Sequence, residues 1–99
     1  MDFQIRFTEE ALAEFEEILK YSSLHFPETS ERFGNDLLDH LEILKSFPYL
    51  GRPVPGRPGV RELVHTPILV NYRVKTNPNV VQVLHFWNAL KGAIRFEDE

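Results

Sequence analysis

Ile68-Leu69-Val70-Asn71-Tyr72-Arg73-Val74-Lys75 is followed by Thr76-Asn77-Pro78-Asn79 and then by Val80-Val81-Gln82-Val83-Leu84-His85-Phe86-Trp87. How this stretch is read decides the fold. In its first part Ile68, Val70, Tyr72 and Val74 alternate with Leu69, Asn71, Arg73 and Lys75, the period of two expected of a strand with one apolar face. Arg73 falls on the side opposite the main apolar row. Asn77-Pro78-Asn79 has turn chemistry. From Val80 to Trp87 the chain is apolar apart from Gln82 and His85, which predicts a central strand covered on both faces, with a facing that alternation cannot assign.

Upstream, Val60 to Val64 reads as a further short strand. Pro48 to Gly59 places four prolines and three glycines in twelve residues, a loop with a restricted backbone and neither a helix nor a flexible linker. It carries Arg52 and Arg57, so it also qualifies as a working loop. Before it, Phe33, Leu37, Leu41 and Leu44, reinforced by Leu38, recur at helical spacing, with Pro27 suited to the first turn and Pro48 ending the element. Ala11, Leu12, Phe15, Ile18 and Leu19 form an earlier helical stripe backed by Glu9, Glu10, Glu14, Glu16, Glu17 and Lys20, with Thr8 as N-cap, over about Glu9 to Leu24. Phe3, Ile5 and Phe7 alternate with Gln4 and Arg6 in an opening strand. The order β-α-α-β-β-β predicts an α+β domain: a twisted, mainly antiparallel sheet with a helical hairpin packed on one face and a basic, partly open opposite face.

A chain of 99 residues with 42% hydrophobic content supports one core, so a single domain over residues 1–99 is expected. The twelve aromatic rings supply large buried surfaces, each roughly 1.5–3 kcal/mol when fully covered. There is no cysteine, which excludes a disulfide framework and Cys-based zinc sites and fits a reducing cytoplasm. The start has no basic leader, and no run approaches the roughly 20 apolar residues of a membrane span, so a cytoplasmic protein without membrane contact is expected.

The net charge of -4 conceals an uneven division. Residues 1–50 carry eleven acids and four Lys or Arg, while residues 51–96 carry one acid, Glu62, and seven Lys or Arg. A chain acidic overall can therefore offer a basic face to a nucleic acid or an acidic partner.

Phe7-Thr8-Glu9-Glu10-Ala11, Phe47-Pro48-Tyr49-Leu50-Gly51-Arg52, Val60-Arg61-Glu62-Leu63 and Asn71-Tyr72-Arg73-Val74, in this order, resemble the RelE/ParE toxins, often called plasmid stabilisation proteins. The resemblance spans about Phe3 to Lys91. It implies a growth-inhibiting toxin of a type II toxin-antitoxin system, neutralised by a cognate antitoxin protein that wraps around it, either as a homodimer or within a toxin-antitoxin hetero-oligomer. Members of the superfamily either cleave messenger RNA on the translating ribosome or inhibit DNA gyrase. The shared fold does not choose between them.

RNA cleavage by internal attack needs a proton acceptor for the 2′-hydroxyl, a proton donor for the leaving oxygen, and cations around the phosphate. The resemblance places Arg61 and Arg73 at the strand positions that supply positive charge, and an endoribonuclease here would use Arg61, Arg73 and Lys91 with His85 substituting as the proton-transfer group. Many relatives, however, carry His where this chain has Asn88 and Arg where it has Lys91. Asn cannot act as a general base near neutral pH, and such proton transfer contributes typically about 10² to 10⁴ in rate. Gyrase inhibition is therefore the favoured expectation, with an endoribonuclease or an inactive member that retains only antitoxin binding as alternatives.

Each candidate also has a plainer reading. Arg61 beside Glu62 fits a strand ion pair, His85 fits a core or rim histidine with one hydrogen bond, and Lys91 fits a frayed tail. Arg52, Arg57 and Trp87 are candidate partner contacts, alternatively two solvated cations and a packed ring. The glutamates of the first helix read as a solvated face. His25, His40, His65 and His85 lack metal-ligand spacing, so neither a metal nor a cofactor is expected.

Overall fold

The computed structural model describes residues 2–89. Strand β1 (Gln4–Phe7) leads into helix α1 (Glu9–His25), helix α2 (Ser30–Glu42) and a 3-10 turn (Ile43–Lys45), followed by β2 (Arg52–Pro53), β3 (Val60–His65), β4 (Ile68–Lys75) and β5 (Val80–Asn88). The five strands form one sheet in the order β1-β5-β4-β3-β2, with β1 parallel to β5 and every other pair antiparallel. The expected α+β architecture is therefore present, with one addition. Two residues of the proline-rich loop, Arg52 and Pro53, pair with Glu62 and Arg61 as an edge strand, a position that proline tolerates because its missing N–H faces outward.

Thr8 starts α1 by accepting a hydrogen bond from the Ala11 N–H at 3.1 Å, while its own hydroxyl donates to the Leu84 carbonyl at 3.1 Å. One side chain thus caps the helix and fixes it to the sheet. Helix α2 begins three residues after Pro27, which lies in the turn, so the expected start is corrected. Ser22, whose hydroxyl lies 3.0 Å from that of Ser30, joins the two helix ends there. Its regular α-helical part also stops at Glu42, short of Pro48. The helices approach closely at Gly34, where an added Cβ would meet Leu19 Cδ2 at 2.8 Å.

The core lies between the helices and one face of the sheet. Ala11 and Ile18 of α1, Leu37 and Leu41 of α2, and Leu44 of the 3-10 turn close over Leu63, Ile68, Val70, Tyr72, Val81, Val83 and Phe86. Phe7 and Phe15 pack on Phe86 with centroids 6.1 and 5.4 Å away. Leu12 and Leu38, expected in the stripes, are instead largely exposed, because each stands at the edge of an apolar arc only one helix face wide.

β5 corrects a second expectation. It is central in the sheet, yet Gln82, Leu84, His85 and Trp87 are only half-buried, so helices cover it on one face. Alternation fails here for a local reason. Asn71 pairs with His85 but Tyr72 pairs with Val83, which leaves Leu84 as the extra residue of a β-bulge. The bulge shifts the facing by one position, so Val81, Val83 and then Phe86 all turn inward.

Candidate functional site

Residues paired across a sheet share a face, and this separates the two arginines expected to work together. Arg61 is opposite Tyr72, a fully buried core residue, and so stands on the helix-covered face. There its Nη1 donates to the Gly51 carbonyl at 2.7 Å and the Tyr49 carbonyl at 3.2 Å, and its guanidinium lies 5.0 Å from the centre of the Tyr49 ring. Tyr72 completes the brace: its hydroxyl accepts from the Gly51 N–H at 2.8 Å. Burial raises the Tyr72 pKa above the usual 10.0, against smaller opposing effects from the Gly51 hydrogen bond and Arg61, so the phenol stays protonated at neutral pH. Gly51 fits because a Cβ would lie 2.6 Å from the Tyr72 hydroxyl and 2.7 Å from the Glu62 carbonyl.

Arg73 pairs with Val60 and Gln82 on the opposite, open face. Gln82 in turn pairs with Arg6 of β1. Arg6, Gln82 and Arg73 therefore form a row across three adjacent strands, with Lys75 two residues beyond Arg73 on the same side. Strand spacing places the two arginine backbones roughly 10 Å apart. Among the described residues none of these three cations joins an ion pair, whereas Arg32, Lys45 and Arg52 do.

Toward the other end of the same face lies an open cleft of about 510 Å³, lined by Glu10, Glu14, Arg57, Glu62, Leu69, Asn71, His85 and Trp87. Its geometry follows from the shortness of β1. Beyond Phe7 the edge of β5 has no strand beside it, and the first turns of α1 close it instead: the Thr8 N–H donates to the Val83 carbonyl at 3.1 Å and the Phe86 N–H donates to Glu14 Oε1 at 3.1 Å. The same Glu14 oxygen lies 3.3 Å from His85 Nδ1, with Glu10 Oε2 at 3.9 Å. Glu14 accordingly orients the imidazole, and two carboxylates surround it.

The expected site residues thus divide among separate places. Arg73 and His85 share the open face, Arg61 does not, and Lys91 lies outside the described residues. Arg52 is held by Glu62 at 2.9 Å, so its charge is largely answered. Arg57 and Trp87 both line the cleft. Two contributions escaped the sequence reading. Arg6 was legible, since it alternates with Ile5 and Phe7, but Glu14 carried no signal because its partner is 71 residues away.

The family profile described as "ParE toxin of type II toxin-antitoxin system, parDE" matches residues 5–91. A search of curated proteins gave no match. Among solved structures, the chromosomal ParDE toxin-antitoxin system from P. aeruginosa superposes with a TM-score of 0.75 at 24% identity, over 87% of this chain and 95% of that one. A chain of the toxin-antitoxin complex RelBE2 from Mycobacterium tuberculosis gives 0.63 at 16% identity over 89% and 99%, and a double arginine-to-alanine variant of E. coli toxin RelE in the free state gives 0.68 at 18% over 98% and 94%. At these identities the structures speak for the fold, and the profile, which spans most of the sequence, speaks for the family. The chain belongs to the ParE toxins of type II toxin-antitoxin systems.

Proposed function

We propose that this toxin arrests growth in the cytoplasm by binding DNA gyrase, without cutting RNA, and that an antitoxin protein neutralises it by covering the open face of the sheet. One observation supports the choice: among the described residues the groups expected for phosphate chemistry, Arg61, Arg73 and His85, do not converge on one place. Arg61 is turned into the scaffold, on the other side of the sheet from Arg73. His85, which would have to stand in for the missing histidine at Asn88, is flanked by Glu10 and Glu14. Carboxylates at that distance repel an incoming phosphate instead of stabilising its charge in the transition state. Blocking a large enzyme needs complementary shape and charge only, and the row of Arg6, Arg73 and Lys75, none of which joins an ion pair among the described residues, offers positive charge on the open face of the sheet.

The test is a supercoiling assay with purified toxin and gyrase, run beside induced expression in which plasmid topology and RNA integrity are followed in one culture. Inhibited supercoiling with intact messages is the expected result. Unaffected gyrase at micromolar toxin removes the proposal.

A second reading is favoured by the Glu14–His85 contact, since a carboxylate that fixes an imidazole is also how a proton-transfer histidine is oriented. It requires new cleavage sites within translated messages, lost in His85→Ala. Induced expression without any growth arrest would instead indicate a chain that only binds its antitoxin.

A further inference from the structure

Folding brings together two histidines from distant parts of the chain. His40, in the last turn of α2, and His65, at the end of β3, face each other with Nδ1 to Nδ1 at 2.8 Å and ring centroids 5.0 Å apart. Phe33 packs edge-on against His65 at 6.0 Å. At this separation the two nitrogens cannot both carry a proton, and their lone pairs cannot face each other bare. Something electrophilic must lie between them, either one hydrogen or a metal ion.

Burial lowers the pKa of His65 from the usual 6.5, and His40 acts in the same direction against a smaller opposing effect from Asp36. A neutral imidazole nitrogen is the form that ligates metals. Asp36 stands one helical turn before His40 and is itself 3.8 Å from Arg32, so it contributes negative charge beside the pair without entering it.

We propose that His40 and His65 form a two-histidine site for a divalent first-row transition ion such as zinc. Imidazole nitrogen binds zinc at about 2.0–2.1 Å, and two ligands of a tetrahedral ion then lie roughly 3.3 Å apart. The rings need to separate by only about half an ångström to admit it. The donor ring shifts its Nδ1 proton to Nε2 through solvent, so the exchange releases no net proton. Among the described residues no third His, Cys, Asp or Glu completes the set. The ion therefore keeps water in its open positions and is held less tightly than at a four-ligand structural site. Bound there, it pins the C-terminal turn of α2 to the β3–β4 hairpin, beside an apolar cleft of about 330 Å³ lined by Phe33, Pro67 and Ile68 among others.

The experiment is titration of zinc chloride into the full chain, prepared without a histidine tag, at neutral pH by isothermal calorimetry, with thermal unfolding in zinc and in a chelator. One equivalent should bind in the micromolar range and raise the Tm by a few degrees at large excess. His40→Gln and His65→Gln should each weaken binding at least tenfold, while His25→Gln and His85→Gln should leave it in place. Absence of saturable binding in the unmodified chain, or binding lost in His85→Gln and kept in His40→Gln, overturns the site and reduces the pair to a hydrogen bond. Should a variant fail to fold, imidazole NMR of the unmodified chain decides: zinc must perturb His40 and His65 before His25 or His85, and the reverse order overturns the proposal.

Discussion

Arg61 and Arg73 lie on strands that pair with each other, yet they belong to different surfaces. On the helix-covered face, Arg61 has two backbone carbonyls, an aromatic ring and a buried tyrosine within reach, and its charge is spent holding the 49–51 segment to the sheet. On the open face, Arg73 has Gln82 and Val60 as cross-strand neighbours and no ion pair among the described residues. The difference teaches that a basic composition is not yet a basic surface. Two cations of the same strand pair perform unlike work because a pleated sheet sends neighbouring rows to opposite sides.

The largest effect is expected where the helix-covered face is densest. Tyr72→Ala removes a fully buried ring together with the hydroxyl that accepts from Gly51, and urea unfolding should show a loss of about 3–5 kcal/mol. Gly51→Ala attacks the same brace from the loop side, forcing a methyl group against the Tyr72 hydroxyl and the Glu62 carbonyl, and should cost about 1–3 kcal/mol by the same measurement.

The arginines themselves sharpen the contrast. Arg61→Ala strips two carbonyls of their donor, with an expected loss of about 1–3 kcal/mol. Arg73→Ala should stay within about 0.5 kcal/mol of the parent. In a gyrase supercoiling assay the order reverses: Arg73→Glu should weaken inhibition severalfold while the protein remains folded. Equal stability losses at the two positions would dissolve the distinction between the faces.

The smallest effect concerns pH. The folded-state pKa of His65 lies below its usual value of 6.5, so as pH falls through about 6.5 the unfolded chain takes up its proton first. The stability that this residue contributes is complete above that pH and is lost progressively as pH falls toward the folded value. Urea midpoints measured between about pH 7.5 and 5 should decline in the parent and decline less in His65→Gln.

Much of the architecture was legible beforehand. Strand β4 was readable end to end because Ile68, Val70 and Tyr72 face one core while Asn71 and Arg73 do not, and a period of two survives wherever one face is buried. Thr8 was readable as a cap because capping is a contact between near neighbours in sequence. β5 resisted because its bulge at Leu84 breaks the period, and the two-residue strand Arg52–Pro53 resisted because no period can be read from two residues. Of the site, Arg73 and the open face were readable. The separation of Arg61 from Arg73 was not, because it depends on how β3 is registered against β4.

The linear order of residues was sufficient, by itself, to determine the helices and the longer strands, their sequence along the chain and the concentration of cations in the C-terminal half, all of which follow from short-range periodicity and composition. Only the tertiary structure decided which cations are exposed, that Glu14 meets His85, and that His40 meets His65. Those outcomes rest on strand register and on contacts between residues 25 to 71 positions apart. No local pattern encodes them, because the groups become neighbours only when the core closes.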